Sequence, residues 1–268
     1  MLKLSSLLLI LIAAFQTRIP RPGGSAHSGA RTRTFSFVQG TAVATANISS
    51  TTATATKTIT GFTGGHLLTV DTGTGVKSTA SGVEAVLSGC TDGTNALTIP
   101  PASSYATGGS NPIAGNPLSF ASPTDTGNMG VAYIVEPSSG SVTITCTWHS
   151  TGGLRLFYWY VAAQEFSCSP NCTGVTAKGA KAVSYGTNTG AVPIVTPCIT
   201  PSAPGDLLWG TWITDLGAQN GANHPWTTVS ASNEEAYILS APSGSTCANF
   251  KDTQSGTDSL GATILDLD

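Results

Sequence analysis

The chain has 268 residues, only 9% of them charged, with a formal net charge of -3 and 31 glycines. So few ions, slightly acidic in balance, give no field to steer nucleic acid or an anionic membrane surface, and both partner classes are excluded. What remains is an exterior of Thr, Ser and Ala, coated with hydroxyl and methyl groups rather than ions.

Met1-Leu-Lys-Leu-Ser-Ser6 leads into the apolar run Leu7-Leu-Leu-Ile-Leu-Ile-Ala-Ala-Phe15. A short positive start before an apolar stretch of about ten residues is the layout of a secretory signal, and it is too short to span a bilayer. Arg18, Pro20, Arg21, Pro22, Gly23 and Gly24 follow and would break any helix there. Residues 1-26 are therefore read as signal and N-terminal segment, with cleavage either just after Ala14 or nearer Ala26. Residues 27-60 form a Thr/Ala/Ser-rich arm with the first strands, and 61-268 the remainder of a single domain. The mature chain is expected to be secreted, extracellular or at the cell surface, with no membrane span.

No long stretch has helical periodicity. Short runs rich in Val, Ile, Thr and aromatics alternate with Gly, Pro, Asn and Ser clusters, which predicts about twelve strands. In chain order these are Thr34 to Val38, Thr54 to Phe62, His66 to Thr72, Val83 to Leu87, Ala96 to Ile99, Val131 to Val135, Ser141 to Trp148, Leu154 to Phe166, Leu207 to Ile213, Thr227 to Ser232, Ala236 to Leu239 and Gly261 to Asp266. The block Thr41 to Thr58 has a composition that suits either a flexible stalk or strands, with strand favoured where Thr54, Thr56, Thr58 and Thr60 alternate with Ala55, Lys57 and Ile59. Pro100 to Gly127 and Ser167 to Pro204 read as long surface loops. Many strands without crossover helices predict an all-β fold, a two-sheet antiparallel β-sandwich of jelly-roll type.

Six cysteines after the signal, Cys90, Cys146, Cys168, Cys172, Cys198 and Cys247, suit disulfides in an exported protein. The close spacing of Cys168 and Cys172 predicts a local bridge. The other four allow three pairings, of which Cys90 with Cys146 and Cys198 with Cys247 are preferred. Only one close cysteine pair exists, so no zinc site or other cofactor is expected.

Read in order, several segments resemble a widespread, mostly uncharacterised family of secreted bacterial and metagenomic sandwich domains found on surface proteins. They are Phe35-Ser-Phe-Val-Gln39, Gly64-Gly-His-Leu-Leu-Thr-Val70, Gly140-Ser-Val-Thr-Ile-Thr-Cys146, Tyr158-Trp-Tyr-Val-Ala-Ala-Gln-Glu-Phe166 and Ala203-Pro-Gly-Asp-Leu-Leu-Trp-Gly210. The resemblance runs from Phe35 to the C-terminus and implies a jelly-roll sandwich, with no catalytic residues to carry over. The six cysteines and the Ser167 to Pro204 stretch depart from the family pattern.

Reactive groups are thin. His27, His66, His149 and His224 and the five glutamates are scattered, and no nucleophile elbow, zinc-protease motif or phosphate-cradling loop is present. Glu136 and Glu165, each ending a predicted strand, are the best available glycosidase pair, against the plainer expectation that both solvate a rim. No enzyme and no catalytic residue is expected. Exposed tryptophans would suit a carbohydrate-binding module. Trp148, Trp209, Trp212 and Trp226 are candidates for stacking on sugar rings, against burial as the plainer expectation for each, and only Trp226 sits in an obvious loop. Asn47 and Asn171 head N-glycosylation sequons.

The most informative segment is Leu154 to Ala163, because a sandwich strand normally alternates apolar with polar residues and here both faces are apolar. Either a loop of the same chain, such as Pro100 to Gly127, or a neighbouring subunit must cover the outward face. The second option defines a candidate assembly surface of Phe35, Phe37, Phe157, Trp159 and Val161. The expected function is then a non-catalytic structural protein, a subunit of a filament or coat whose main partner is itself. Subunits would join by strand addition from the alternating stretch Arg31 to Val38. A lectin-like adhesion module binding glycans is the alternative.

Overall fold

The computed structural model describes residues 33–76, 85–100, 118–121, 126–150, 153–189, 193–195, 198–214, 219–222, 224–229, 235–247, 249–252 and 257–268. The signal segment, its cleavage site and most of Pro100 to Gly127 lie outside these residues. Among those described, every regular element is a strand, sixteen in all, where the sequence pattern predicts about twelve. Residues 33–268 form one compact unit.

The first eight strands are β1 (Thr34–Ser50), β2 (Thr52–Phe62), β3 (Leu67–Val76), β4 (Ala85–Thr91), β5 (Leu118–Ala121), β6 (Thr126–Val135), β7 (Gly140–Ser150) and β8 (Leu156–Ser169). They pair in nested fashion, β1 with β8, β2 with β7 and β3 with β6, all antiparallel. The resulting sheets have the orders β1-β8-β3-β6-β5 and β2-β7-β4. Nested pairing of outer, middle and inner strands across two facing sheets is the winding of a jelly roll.

The alternation in β2 is the one expected from the sequence. Ala53, Ala55, Ile59 and Phe62 turn inward and are buried, while Thr54, Thr56, Thr58 and Thr60 are exposed. With Trp148, Ile144 and Val142 of β7 and Leu87 of β4, they meet Leu68, Val70, Val161 and Ala163 of the larger sheet in one core. Thr41 to Thr58 is thus strand almost throughout, and the Thr/Ala/Ser-rich arm belongs to the domain.

The remaining strands are β9 (Ala177–Thr189), β10 (Pro193–Val195), β11 (Leu207–Thr214), β12 (Gln219–Ala222), β13 (Thr227–Thr228), β14 (Glu235–Ile238), β15 (Asn249–Asp252) and β16 (Thr257–Leu267). Five of them form a second five-stranded sheet, β13-β14-β11-β16-β9, and three a small one, β10-β15-β12. Half of Ser167 to Pro204, read as loop from the sequence, is therefore strand. Its β9 runs antiparallel along β16, from Ala177 opposite Leu267 to Thr189 opposite Thr257.

The second five-stranded sheet packs on the first. Leu207 and Trp209 of β11, Tyr237 of β14 and Leu265 and Leu267 of β16 share a core with Phe35, Leu67, Val131, Tyr133 and Phe166. The sheet holding β1, β8 and β3 is consequently a middle layer, buried on both sides. This explains the two-faced aromatic strand: Trp159, Val161 and Ala163 point to one core, and Phe166 to the other. On the Phe166 side the cover is a second sheet of the same chain.

Of the candidate assembly surface, two residues are interior and three are half-buried. Phe35 and Val161 are buried, Phe37 and Trp159 are partly buried and pack against the two cores, and Phe157 lies edge-on to Tyr158. Over its described residues Arg31 to Val38 does not reach out as an arm, since Thr34 to Phe37 pair with Ser169 to Phe166 of β8. An alternating stretch satisfies its backbone groups most readily in the nearest sheet of its own chain.

Three disulfides brace the layers, in the preferred pairs. Cys90–Cys146 joins directly opposed residues of β4 and β7, Cys168–Cys172 closes a tight loop after β8, and Cys198–Cys247 ties two segments beside β11.

Candidate functional site

Both candidate glycosidase carboxylates come to the same place, the Gly64-Gly65-His66 turn between β2 and β3. The Gly65 N–H donates to the Glu136 carbonyl at 2.7 Å, and the Glu136 N–H to the His66 carbonyl at 2.9 Å. Gly64 is tight here: a Cβ would stand 2.8 Å from both the Pro137 carbonyl oxygen and Ser139 Oγ. Gly65 has φ +85°, a left-handed conformation that favours glycine.

Glu165 lies under this turn and is wholly buried. Its Oε1 accepts from the Thr63 N–H at 3.0 Å and sits 2.7 Å from His66 Nδ1, and its Oε2 accepts from Gln39 Nε2 at 2.6 Å. With backbone and amide donors already aimed at it, the carboxylate is an acceptor, so His66 Nδ1 carries the proton and donates. The pair resembles the orienting half of a catalytic constellation, but its hydrogen bonds all run inward and join β1, the β2–β3 turn and β8.

Glu136 is also wholly buried. Its Oε1 accepts from the Ser138 N–H at 2.8 Å, and its side chain abuts Asp92. Burial, then the neighbouring Asp92 carboxylate, pushes Glu136 above its ordinary value, while the Ser138 N–H pulls the other way. Burial also opposes ionisation of Asp92, yet hydrogen bonds from Asn95 and from the Thr94 N–H hold it below its ordinary value. Of the two, burial thus favours the neutral form at Glu136, while hydrogen bonds favour the charged form at Asp92. The expectation of two solvated rim glutamates is corrected: at Glu136, after β6, and at Glu165, within β8, a turn folds back on the carboxylate, and buried acceptors need such donors.

A second acid pair was not legible. Asp266 on β16 and Asp206 just before β11 are both buried and in contact. Ser202 bridges them, its N–H donating to Asp266 Oδ2 and its hydroxyl to Asp206 Oδ2, each at 2.7 Å. Burial first, and then the charge of Asp206, pushes Asp266 up to about 7, against the Ser202 N–H. The sole local hint is an aspartate in a Pro-Gly-Asp turn, ordinary turn chemistry.

Trp226 is not a stacking platform. It is buried in a third core with Ile199, Leu208, Trp212, Ala236 and Ile264, and its Nε1 donates to the Cys247 carbonyl at 3.2 Å. Trp148, Trp209 and Trp212 are buried as well. Asn171 is exposed in the Cys168–Cys172 loop, its Oδ1 accepting from the Thr173 N–H at 3.0 Å, and Asn47 lies within β1. Among the described residues no group of three or more His, Cys, Asp or Glu could hold a metal ion. No helix of the described residues is long and apolar enough to cross a membrane.

These features define an all-β, disulfide-braced jelly-roll protein in stacked layers. No protein-family model matches the chain, and no curated protein does. Among solved structures, it is similar to a chain described in "The Triple Jelly Roll Fold and Turret Assembly in an Archaeal Virus", at 12% identity and a TM-score of 0.21 over 85% of this chain. The match spans 59% of that longer chain. The jelly-roll assignment rests on the nested strand pairing of this chain itself.

Proposed function

We propose that the protein is a non-catalytic extracellular structural subunit, assembling with copies of itself into a filament or coat by β-strand addition. The observation that carries the reading is the open edge of β1. This strand of 17 residues ends its sheet and pairs only with β8 among the described residues. Such a row of unpaired N–H and C=O groups is a template for another strand, which soluble monomers usually blunt. Val38, at the bulge between Phe37 and Gln39, is 45% exposed and is the exposed large apolar side chain of the described residues.

Three disulfides favour an oxidising compartment. The burial of Glu136 and Glu165 favours a role without catalysis, because a hydrolytic carboxylate must reach its substrate. The glycan-binding alternative has lost its stacking residue, Trp226.

Val38→Lys places a charge on the open edge without touching a core. Wild-type secreted protein should sediment as assemblies and the variant as single subunits. Wild-type protein that sediments only as a single subunit would overturn the proposal.

A further inference from the structure

The outer face of the second five-stranded sheet is apolar, with Leu208 and Trp212 of β11, Ala236 and Ile238 of β14, and Ala262 and Ile264 of β16. Its cover is irregular chain. Segments 198–206 and 239–247 lie over it, supplying Ile199 and Ala241, with Trp226 alongside. They are joined to each other by paired Ile199 and Thr246 backbone bonds at 2.9 and 2.7 Å, by the Cys198–Cys247 disulfide, and by the Ala241 N–H on the Asp206 carbonyl at 2.8 Å. They are joined to the sheet below through the Ser202 N–H on Asp266.

That last attachment is peculiar. Asp206 belongs to the cover and Asp266 to the sheet, so the cover is fastened by two acids in contact. Two ionised carboxylates side by side in a buried place repel, whereas one proton between them makes a strong hydrogen bond. Asp266 Oδ1 accepts no hydrogen bond among the described residues, so no donor there favours the ionised form of this acid.

We propose that Asp206 and Asp266 form a proton-held clasp: with one proton shared the cover stays closed over Leu208, Trp212 and Ile264, and with that proton lost the carboxylates separate and the cover lifts. Among the described residues neither acid has an ion pair with a basic side chain. On β11 Leu208 stands opposite Asp266, and on β9 Gly179 does. Lys178 and Arg33 are engaged with Asp268, at 3.7 and 3.6 Å. Lys181 stands opposite Ile264, two positions along β16. The cover contributes Ser202, which donates to both acids, and the Ala203 N–H, which donates to Asp206 at 2.7 Å. The upward shift of Asp266 to about 7 puts the release near neutral pH.

Hydrogen-exchange protection factors of the intact, disulfide-bonded chain test the clasp. Between pH 5.5 and pH 8.5, protection in 198–206 and 239–247 should fall at least about tenfold, as expected for a group titrating between them, while amides of the β2–β7 pair change little. Asp266→Asn should hold the cover closed at both pH values, and Asp206→Asn provides the same arm should the first variant fail to fold. Unchanged protection in the wild type, or a fall that persists in the folded Asn variant, would overturn the clasp. Recovery of wild-type protection at pH 8.5 on adding calcium alone would overturn it too, because the pair would then hold a cation rather than a proton.

Discussion

Thr211 of the second five-stranded sheet donates its hydroxyl hydrogen to Asp71 of the middle layer, across the interface between the two sheets. Asp71 is wholly buried and accepts a second hydrogen bond, at 3.0 Å, from Tyr160 of its own sheet. A carboxylate in that position is tolerable only with such donors, and it fixes how the two layers register.

Asp71→Ala strands two buried hydroxyls and should lower stability by about 2–5 kcal/mol, and Thr211→Val by about 1–2 kcal/mol. Urea unfolding of both single variants and the double variant would measure it. The double variant should lose less than the sum of the singles, since the partners share one interaction.

Gly75 on β3 lies beneath aromatic rings. A Cβ there would collide with Tyr158 Cε1 and stand 2.5 Å from Phe157 Cε1. Gly75→Ala should therefore cost about 1–3 kcal/mol through overpacking, despite alanine's lower backbone entropy. Thermal unfolding of the variant would show a lowered midpoint.

The two long-range disulfides constrain the unfolded chain most. Sequence separations of 56 for Cys90–Cys146 and 49 for Cys198–Cys247 correspond to about 4 kcal/mol each, against about 2 kcal/mol for Cys168–Cys172, with a separation of 4. Replacing each pair by serines in turn should lower the urea midpoint in that order.

Stability should decline from mildly acidic to neutral pH. Asp266 rises from the ordinary 3.8 to about 7 on folding, and Glu136 rises above 4.5, both through burial first. At pH values below their unfolded values both are protonated in either state and their contribution is complete. Between about 4 and 7 the folded chain holds more protons than the unfolded one, so stability falls as pH rises, on the order of a few kcal/mol, and levels off above the folded value. Asp92 acts oppositely and only below 3.8, where acid removes its contribution. Urea midpoints at pH 5 and pH 8 should differ in the wild type, and less so in Asp266→Asn and in Glu136→Gln.

Much of the fold is legible in the sequence, because alternation such as Thr54 to Thr60 reports directly which side chains face a core. The two apolar faces of Leu154 to Ala163 are also legible, but periodicity says only that both are covered. What covers them depends on pairing β11 with β16 and β14, contacts distant in sequence. Ala177 to Thr189 reads as loop because it lacks aliphatic clusters, and it is strand because β16 offers it a partner. Glu136 follows the end of β6 as expected, whereas Glu165 lies within β8, which runs on to Ser169. Their burial was not readable, since it comes from turns folding back with Ser138 and Thr63 N–H groups.

The central claim, stacked β-layers that join copies of the chain through the β1 edge, is tested most directly by electron microscopy of the native protein. Regular filaments or sheets that vanish with Val38→Lys are the expected result. Fields of isolated particles of single-subunit size in the wild type would contradict it.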